Sequence, residues 1–309
     1  MTAPLLQLRK LNKVFSMREG FQTRRVHAVN NVSFVLASGQ VVALVGESGS
    51  GKSTIARLIA RLMPPTSGEI LLDGKSTDSS MEFRRRVQMI FQDPFGSLNP
   101  IHTIRHHLER PLKRHGKDSR RVYELLETVG LSPAKQFADK YPSELSGGQR
   151  QRVAIARTLA VEPDLILADE PTSMLDVSIR VDILNLLLRL KDERGIGYLY
   201  ITHDLASARY FADRTLVLYA GHIVESAPSA DLMQTPQHPY TRVLLAAVPN
   251  ATGSRNDDIE VKPGGAKLVD PGPGCPFAAR CPLVEERCNT QLPELKEISS
   301  GRQARCHLL

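Results

Sequence analysis

A glycine-rich segment near residue 50 has the residue types needed to bind phosphate groups. Residues 46–53 read Gly-Glu-Ser-Gly-Ser-Gly-Lys-Ser and match the pattern G-x-x-x-x-G-K-[ST]. The glycines allow several backbone N–H groups to converge on an anion, and the N-terminus of a following helix adds partial positive charge. Lys52 can then reach the β- and γ-phosphates of a nucleotide, and the Ser53 hydroxyl can bind Mg²⁺.

Acidic and imidazole side chains follow two apolar segments further along the chain. Asp169 and Glu170 come directly after the run at 165–168, and His203 comes after the run at 198–202. Since the carboxyl ends of parallel strands meet at one edge of a sheet, these side chains should lie beside the phosphate loop. We expect Asp169 to hold Mg²⁺ through a water and Glu170 to act as general base toward an attacking water. His203 is expected to contact the γ-phosphate or that water.

The elements that must position these residues follow an α/β pattern. Apolar strands alternate with amphipathic helices from about residue 40 to residue 225, which predicts an open parallel sheet with helices on both faces. Strands are predicted at 41–45, 87–91, 165–168 and 198–202. Helices are predicted at 54–62 and at 177–194, the second starting after Asp176 as N-cap and ending at Gly195.

Regions on either side of this pattern have other characters. Residues 5–38 are strand-like, with a loop expected at 16–25. The strand pattern disappears between Asp93 and about Arg157, where we predict an inserted helical subdomain. From residue 228 the composition shifts to proline, glycine and cysteine. We therefore predict a main domain at 1–227, with the helical subdomain at about 93–157, and a small tail domain at 228–309.

Composition excludes several classes of protein. The chain is 41% hydrophobic and 24% charged, as in ordinary globular proteins. We identify no signal peptide and no apolar run long enough to span a membrane. The net charge of +7 is scattered along the sequence, which favours a solvated surface over a nucleic-acid-binding patch.

A further motif, Leu-Ser-Gly-Gly-Gln at 145–149, identifies the family that the sequence resembles. Its Gly-Gly pair permits close backbone approach to a phosphate, and its serine is a small donor. Together with the phosphate loop, Gln92 in FQDP, the ILADE segment at 166–170 and His203, it makes residues 5–225 resemble the ATP-binding cassette (ABC) family. The resemblance implies a P-loop ABC ATPase with an N-terminal antiparallel β subdomain, an inserted helical subdomain and a cysteine-containing tail.

The resemblance also implies roles for individual residues. Glu170, His203 and Gln92 would be catalytic, and Ser53, Gln92 and Asp169 would hold Mg²⁺. ATP would be bound by an aromatic ring stacked on adenine and by the phosphate loop with its next residue, namely Phe15, Gly46, Glu47, Ser48, Gly49, Ser50, Gly51, Lys52, Ser53 and Thr54.

Family members of this kind act as head-to-tail dimers. The signature residues Ser146, Gly147, Gly148 and Gln149 would thus contact ATP held by the other subunit. One departure is Met174, at a position where the family usually has a small residue, in a loop that crosses the dimer interface. This difference is compatible with a non-identical partner subunit.

The tail resembles that of the ATPases of oligopeptide, dipeptide and nickel importers. The likeness lies in residues 238–249 and 274–282 and in four cysteines, Cys275, Cys281, Cys288 and Cys306, spaced C-x5-C-x6-C-x17-C. Four thiolates can hold a [4Fe–4S] cluster or Zn²⁺. Zinc sites usually have closer cysteine pairs, and the resemblance also favours the cluster. Free or disulfide-linked thiols remain the alternative, and His307 is a less favoured substitute ligand.

The resemblance implies an ATP-hydrolysing subunit of an importer for di- or oligopeptides, at the cytoplasmic face of the cell membrane. Its partners would be a second ABC ATPase, two transmembrane permeases and an extracytoplasmic substrate-binding protein, with no nucleic acid. Short oligosaccharides or nickel are alternative cargoes. An exporter, or an ATPase acting on nucleic acid or ribosomes, is a more distant alternative.

Three histidines in the predicted helical subdomain offer a second conceivable metal site. His102, His106 and His107 fall at helical spacing. Because no cysteine or acidic residue lies nearby in sequence, we favour a solvated or permease-facing helix.

Overall fold

The computed structural model describes residues 4–20, 22–77, 80–247 and 264–309. Val248 and Pro249, the end of the first tail segment noted above, lie outside these ranges. The strands, in chain order, are β1 (Pro4–Glu19), β2 (Gln22–Ala37), β3 (Val41–Val45), β4 (Ser67–Leu72), β5 (Lys75–Ser76), β6 (Val87–Ile90), β7 (Leu165–Asp169), β8 (Gly197–Thr202), β9 (Arg214–Tyr219), β10 (His222–Pro228), β11 (Lys296–Ser299) and β12 (Arg302–Ala304).

Helices lie between several of these strands and fill the interval between β6 and β7. They are α1 (Lys52–Ile59), α2 (Met81–Arg86), α3 (Pro94–Ser97), α4 (Ile104–Arg114), α5 (Arg121–Thr128), α6 (Ala134–Ala138), α7 (Gly147–Leu159), α8 (Val177–Arg194), α9 (Leu205–Phe211), α10 (Ser229–Gln234), α11 (Pro239–Ala246) and α12 (Glu286–Thr290), with 3-10 turns at Pro142–Glu144 and Ala278–Arg280.

The main sheet has the spatial order β11-β12-β10-β9-β3-β8-β7-β6 in the described part of the chain. Strands β6, β7, β8, β3 and β9 are parallel, and the remaining strands continue antiparallel from β9. Strands β3, β7 and β8 are buried along their whole length, as expected for parallel strands covered on both faces. The predicted parallel sheet is therefore present, with β3, β7 and β8 in its centre.

The N-terminal region forms a second, antiparallel sheet of order β2-β1-β4-β5. The loop expected at 16–25 is wrong: Ser16, Met17 and Arg18 pair with Arg25, Arg24 and Thr23 in a long ribbon. These residues are mostly exposed and polar, so they lack the apolar alternation by which a half-buried strand is recognised. Pairing along the backbone, rather than burial, extends this ribbon.

Helix α8 has the predicted ends, and Gly195 closes it with φ 67°. Asp176 does occupy the N-cap position, but its side chain makes no capping hydrogen bond. Helix α1 begins and ends earlier than predicted, at Lys52 and Ile59 instead of 54 and 62. Its last turn is ended by Arg61, which has a left-handed φ of 56°.

Residues 93–157 contain helices α3 to α7 and no strand. Their apolar faces, including Leu108, Leu125 and Val153, join the same cluster of buried side chains as β3 and β8. The tail also joins the main domain, since β12 pairs with β10 through Glu225 and Ala304. The main sheet thus continues across residue 228. The domain boundary at that residue stays a prediction.

Candidate functional site

The phosphate loop links the end of β3 to the start of α1 at the carboxyl edge of the parallel sheet. Gly51 occupies the N-cap of α1 with φ 106°, and a Cβ added there would lie 2.2 Å from the Ala28 carbonyl oxygen. Only glycine fits this combination of backbone angle and close approach. The α1 N-terminus, with its free N–H groups, is thereby aimed at the space where phosphates are expected.

Lys52 is buried at the base of this loop. Its Nζ donates to the carbonyl oxygens of Gly46 at 2.7 Å and Glu47 at 2.8 Å. Burial lowers the pKa of Lys52, while the nearby charges of Glu170, Asp169 and Glu47 oppose that shift. A buried ammonium group held by carbonyls gains from an anionic ligand, which is consistent with phosphate binding.

Ser53 and Asp169 meet across the gap between α1 and β7. The Ser53 hydroxyl donates to Asp169 Oδ1 at 3.0 Å. Burial raises the pKa of Asp169, and the Ser53 hydrogen bond works against that rise. A hydroxyl and a carboxylate oxygen at this distance form a donor set suited to Mg²⁺.

The other two predicted catalytic side chains, Gln92 and His203, converge on the Glu170 carboxylate. Gln92 Nε2 donates to Glu170 Oε2 at 3.1 Å, and His203 Nδ1 lies 3.3 Å from Glu170 Oε1. Gln92 thus contacts the base rather than the Ser53–Asp169 pair. Glu170 has a left-handed φ of 46°, and its N–H donates to the Ile201 carbonyl of β8 at 2.9 Å. An unfavourable backbone angle anchored in this way is typical of functional positions.

Phe15 lies on β1 with its side chain partly exposed, at 37% of its maximal accessible surface. Lys13 Nζ lies 5.1 Å from the centre of its ring. The ring is therefore accessible for stacking against a planar group. Of the remaining predicted phosphate-loop residues, Ser48 is exposed, Ser50 is buried, and Thr54 is half-buried on α1.

The signature motif forms the N-terminus of a different helix. Ser146 is the N-cap of α7, and its Oγ accepts from the Gln149 N–H at 3.3 Å, while Gln149 Oε1 accepts from the Ser146 N–H at 3.0 Å. Gly147 and Gly148 form the first turn of α7, where a Cβ on Gly148 would lie 2.7 Å from Ile179 of α8. In the described contacts the motif is bonded to itself, not to the phosphate loop of the same chain, and exposed Ser146 stays open to an external ligand.

Two contacts at the phosphate loop were not predicted. Arg280 binds the Glu47 carboxylate through two hydrogen bonds of 2.8 and 3.0 Å, and the Tyr240 hydroxyl accepts from the Glu47 N–H at 2.9 Å. Both residues belong to the tail, so the tail touches the phosphate loop. No local sequence pattern marks a pairing across more than 190 positions.

The four cysteines line one small cavity, together with His238, Phe277 and His307. None of the four is joined to another in a disulfide, which contradicts the disulfide alternative. Burial raises the pKa of Cys275 to about 11, and the other three cysteines add to that rise, which reflects their proximity. Among described residues, no group of three or more His, Cys, Asp or Glu side chains could hold a metal ion. The described geometry of the cysteines is therefore not that of an assembled metal site.

The three histidines of the helical region do come together. His102 and His106 stack with ring centres 4.0 Å apart, and His107 Nε2 lies 3.0 Å from the Asn99 carbonyl oxygen. They line an open groove with Arg110 and Arg157. Within the described part of the chain, these histidines form no group that could hold a metal ion.

None of the described helices has the length and apolar character needed to cross a bilayer.

Comparison with known proteins identifies the family. Residues 29–173 match the ABC transporter family, and residues 224–288 match the oligopeptide/dipeptide transporter C-terminal region. The oligopeptide transport ATP-binding protein AppF of Bacillus subtilis is 42% identical over 98% of this chain and 97% of its own length.

Solved structures agree with this assignment. The ATP-binding cassette MJ0796, in a dimeric post-hydrolysis state with ADP and Pi, has a TM-score of 0.63 and 34% identity over 72% of this chain and 98% of its own. Clostridium perfringens cbiO1, part of the ABC transporter complex cbiONQ, has a TM-score of 0.66 and 28% identity over 75% of this chain and 91% of its own. The chain therefore belongs to the ABC transporter family and is one of its ATP-binding ATPase subunits.

Proposed function

We propose that this ATPase powers the import of peptides across the cytoplasmic membrane. ATP hydrolysis is inferred from one observation, the convergence of Gln92 and His203 on the Glu170 carboxylate. The cargo is inferred from the tail, which matches the oligopeptide/dipeptide transporter C-terminal region, and from AppF, whose name assigns it to oligopeptide transport.

ATP is bound by its phosphates and its base. Lys52 and the N-terminal N–H groups of α1 hold the phosphates, and the partly exposed Phe15 ring stacks on adenine. The remaining phosphate-loop residues contribute backbone N–H groups. Ser53 and Asp169 would hold Mg²⁺, with Gln92 as a further ligand once nucleotide is bound, and the bound ion would offset charge on the phosphate oxygens.

Hydrolysis requires a water in line with the γ-phosphate. Glu170 accepts a proton from that water. The water oxygen forms a bond to the γ-phosphorus as the bond between this phosphorus and the ADP oxygen breaks. Gln92 and His203 orient Glu170 through its two carboxylate oxygens. His203 is 61% exposed in the single chain, so it is accessible to the phosphate.

The active form is a head-to-tail dimer of two such subunits. Ser146 and Gln149 face outward at the α7 N-terminus, where the helix dipole favours an anion. In the dimer they meet the γ-phosphate held by the partner. The partners of this subunit are a second ABC ATPase, two transmembrane permeases and an external binding protein, and the complex lies at the cytoplasmic face of the membrane.

The four cysteines of the tail hold a [4Fe–4S] cluster in this proposal. Four thiols that line one common cavity are the donor set such a cluster requires. A four-iron cluster is larger than one ion, so its ligands lie farther apart than those of zinc. When bound, the cluster would crosslink the cysteine segments of the proline-rich tail. Anaerobic purification followed by iron and sulfide analysis tests this: about four of each per chain, lost in Cys281→Ser, support it, and their absence from the wild type refutes it.

The ATPase mechanism is tested with Glu170→Gln. The amide keeps the shape of the side chain but cannot take the proton, so MgATP turnover should fall by about 10²- to 10⁴-fold while ATP binding persists. Unchanged turnover would remove Glu170 as the base. Vesicles containing the assembled transporter test the cargo: ATP-dependent uptake of di- and oligopeptides is expected, and uptake of oligosaccharides or nickel instead would overturn the peptide assignment.

A further inference from the structure

Glu47, the second residue of the phosphate loop, is held at three separate points. Its carbonyl oxygen accepts from Lys52 Nζ at 2.8 Å, its N–H donates to the Tyr240 hydroxyl at 2.9 Å, and its carboxylate binds Arg280. The first contact lies within the loop. The other two come from the tail, so tail residues fix both the backbone and the side chain of Glu47.

The Arg280–Glu47 pair has the geometry of a strong interaction. Two hydrogen bonds of 2.8 and 3.0 Å join the two terminal nitrogens of the guanidinium to the two carboxylate oxygens. The Arg280 side chain is only 13% exposed. Its guanidinium carbon lies 5.8 Å from the Tyr219 ring centre and 5.9 Å from that of Phe277. These rings restrict the guanidinium and shield it from water.

The same rings connect Arg280 to Tyr240. Tyr219 and Tyr240 have ring centres 4.5 Å apart, and Phe277 lies 5.2 and 5.4 Å from the two tyrosines. Tyr219, Tyr240 and Phe277 are almost completely buried. A movement of one ring must therefore displace the others, because a close-packed interior transmits strain.

The cysteine segment determines where Arg280 lies. Arg280 ends the 3-10 turn at Ala278–Arg280, which stands between Cys275 and Cys281. The Ala278 N–H donates to the Cys275 carbonyl at 3.0 Å, and the Cys275 N–H donates to the Cys288 carbonyl at 2.7 Å. The direction of the Arg280 side chain thus depends on the backbone that joins these cysteines.

We propose that Arg280 and Tyr240 are positioning residues for ATP, through which the cysteine-containing tail sets the affinity of the phosphate loop for nucleotide. By holding Glu47, they fix the carbonyl that holds Lys52 and keep the loop in its binding conformation. This inference rests on ATP binding at the phosphate loop, which MgATP binding by the wild-type chain tests separately.

The experiment compares Arg280→Met with a matched control, Arg105→Met. Arg105 also binds a carboxylate, that of Asp139, and lies over a tyrosine ring, but in the helical region. We expect Arg280→Met to raise the Kd for MgATP and the KM by about tenfold, with kcat changed less, as loss of a charge-assisted pair implies. Arg105→Met should leave both constants at the wild-type value. Equal effects of the two variants would overturn the proposal.

A double-mutant cycle separates positioning from general destabilisation. If Arg280 acts through Glu47, then Glu47→Gln should by itself weaken MgATP binding. The double variant Glu47→Gln/Arg280→Met should bind MgATP no more weakly than Arg280→Met alone. Additive losses would contradict the proposal. Arg280→Lys should give an intermediate Kd, because one ammonium cannot form both hydrogen bonds. Should Arg280→Met fail to fold, Glu47→Gln and Tyr240→Phe test the same contacts from the loop and from α11, and wild-type Kd values in both would overturn it.

Discussion

Replacing Gly51 by alanine should destabilise the phosphate loop far more than the same change at Gly49. Both glycines have left-handed backbones, with φ 106° and 77°. Each substitution therefore costs about 1–2 kcal/mol in backbone strain. At Gly49 the new methyl group would meet nothing within 4 Å, whereas at Gly51 it would lie 2.2 Å from the Ala28 carbonyl oxygen.

The second cost at Gly51 follows from that distance. Ordinary Cβ contacts begin at 3.4 Å, so β2 and α1 must separate by roughly 1 Å. Overpacking of this size costs about 1–3 kcal/mol. The total is then about 2–5 kcal/mol for Gly51→Ala, against about 1–2 kcal/mol for Gly49→Ala.

Urea unfolding measures the difference. The chain contains no tryptophan, so far-UV circular dichroism is the suitable signal. We expect the urea midpoint of Gly51→Ala to lie below that of Gly49→Ala. The extra cost of about 1–3 kcal/mol corresponds to a difference of about 0.3–1 M urea, if the free energy of unfolding falls by about 3 kcal/mol per molar urea. Equal midpoints would show that the Ala28 carbonyl moves away without cost, and the rigid packing inferred for this loop would be wrong.

Three further predictions concern the base, the dimer and pH. Phe15→Ala should raise the Kd for ATP by about 5- to 150-fold in calorimetric titration, because stacking of a base on an aromatic ring contributes about 1–3 kcal/mol; an unchanged Kd would exclude stacking. Ser146→Arg should leave ATP binding to its own subunit intact but block hydrolysis at the partner's site in mixed dimers; loss of binding in cis would contradict the trans assignment. Burial, with Arg305 and His27 nearby, lowers the pKa of His222 from 6.5 to about 4, so the folded state favours its neutral form. The contribution of neutral His222 to the free energy of unfolding should therefore be fully present above pH 6.5. It should be lost as the pH falls to about 4, which lowers the free energy of unfolding by on the order of 3 kcal/mol. His222→Gln should flatten this dependence in urea midpoints, and an unchanged slope would exclude His222.

The proximity of the residues assigned to the proposed nucleotide site could be predicted because each lies at the end of a buried strand. The phosphate loop is a continuous pattern after a fully buried strand, and Asp169, Glu170 and His203 directly follow two more such strands. Parallel strands share a carboxyl edge, so position along the sequence implied proximity in space. The contacts of Ser53 with Asp169 and of His203 with Glu170 follow from that rule.

Other features depend on segments that meet only after folding. The ribbon at Ser16, Met17 and Arg18 has no burial pattern of its own, because backbone pairing with β2 holds it. Likewise, β12 adds to the edge of the main sheet through backbone hydrogen bonds, which almost any side chain permits.

The sequence by itself determined which residues could bind and hydrolyse ATP, since those motifs combine residue type with position relative to buried strands. Only the tertiary structure showed that Arg280 binds Glu47, 233 residues away. A single arginine forms no sequence motif from which its partner could be predicted. Arg280 reaches Glu47 because of where the cysteine segment packs against Tyr219 and Tyr240. Such long-range packing depends on the shape of the whole core, which a local pattern does not encode.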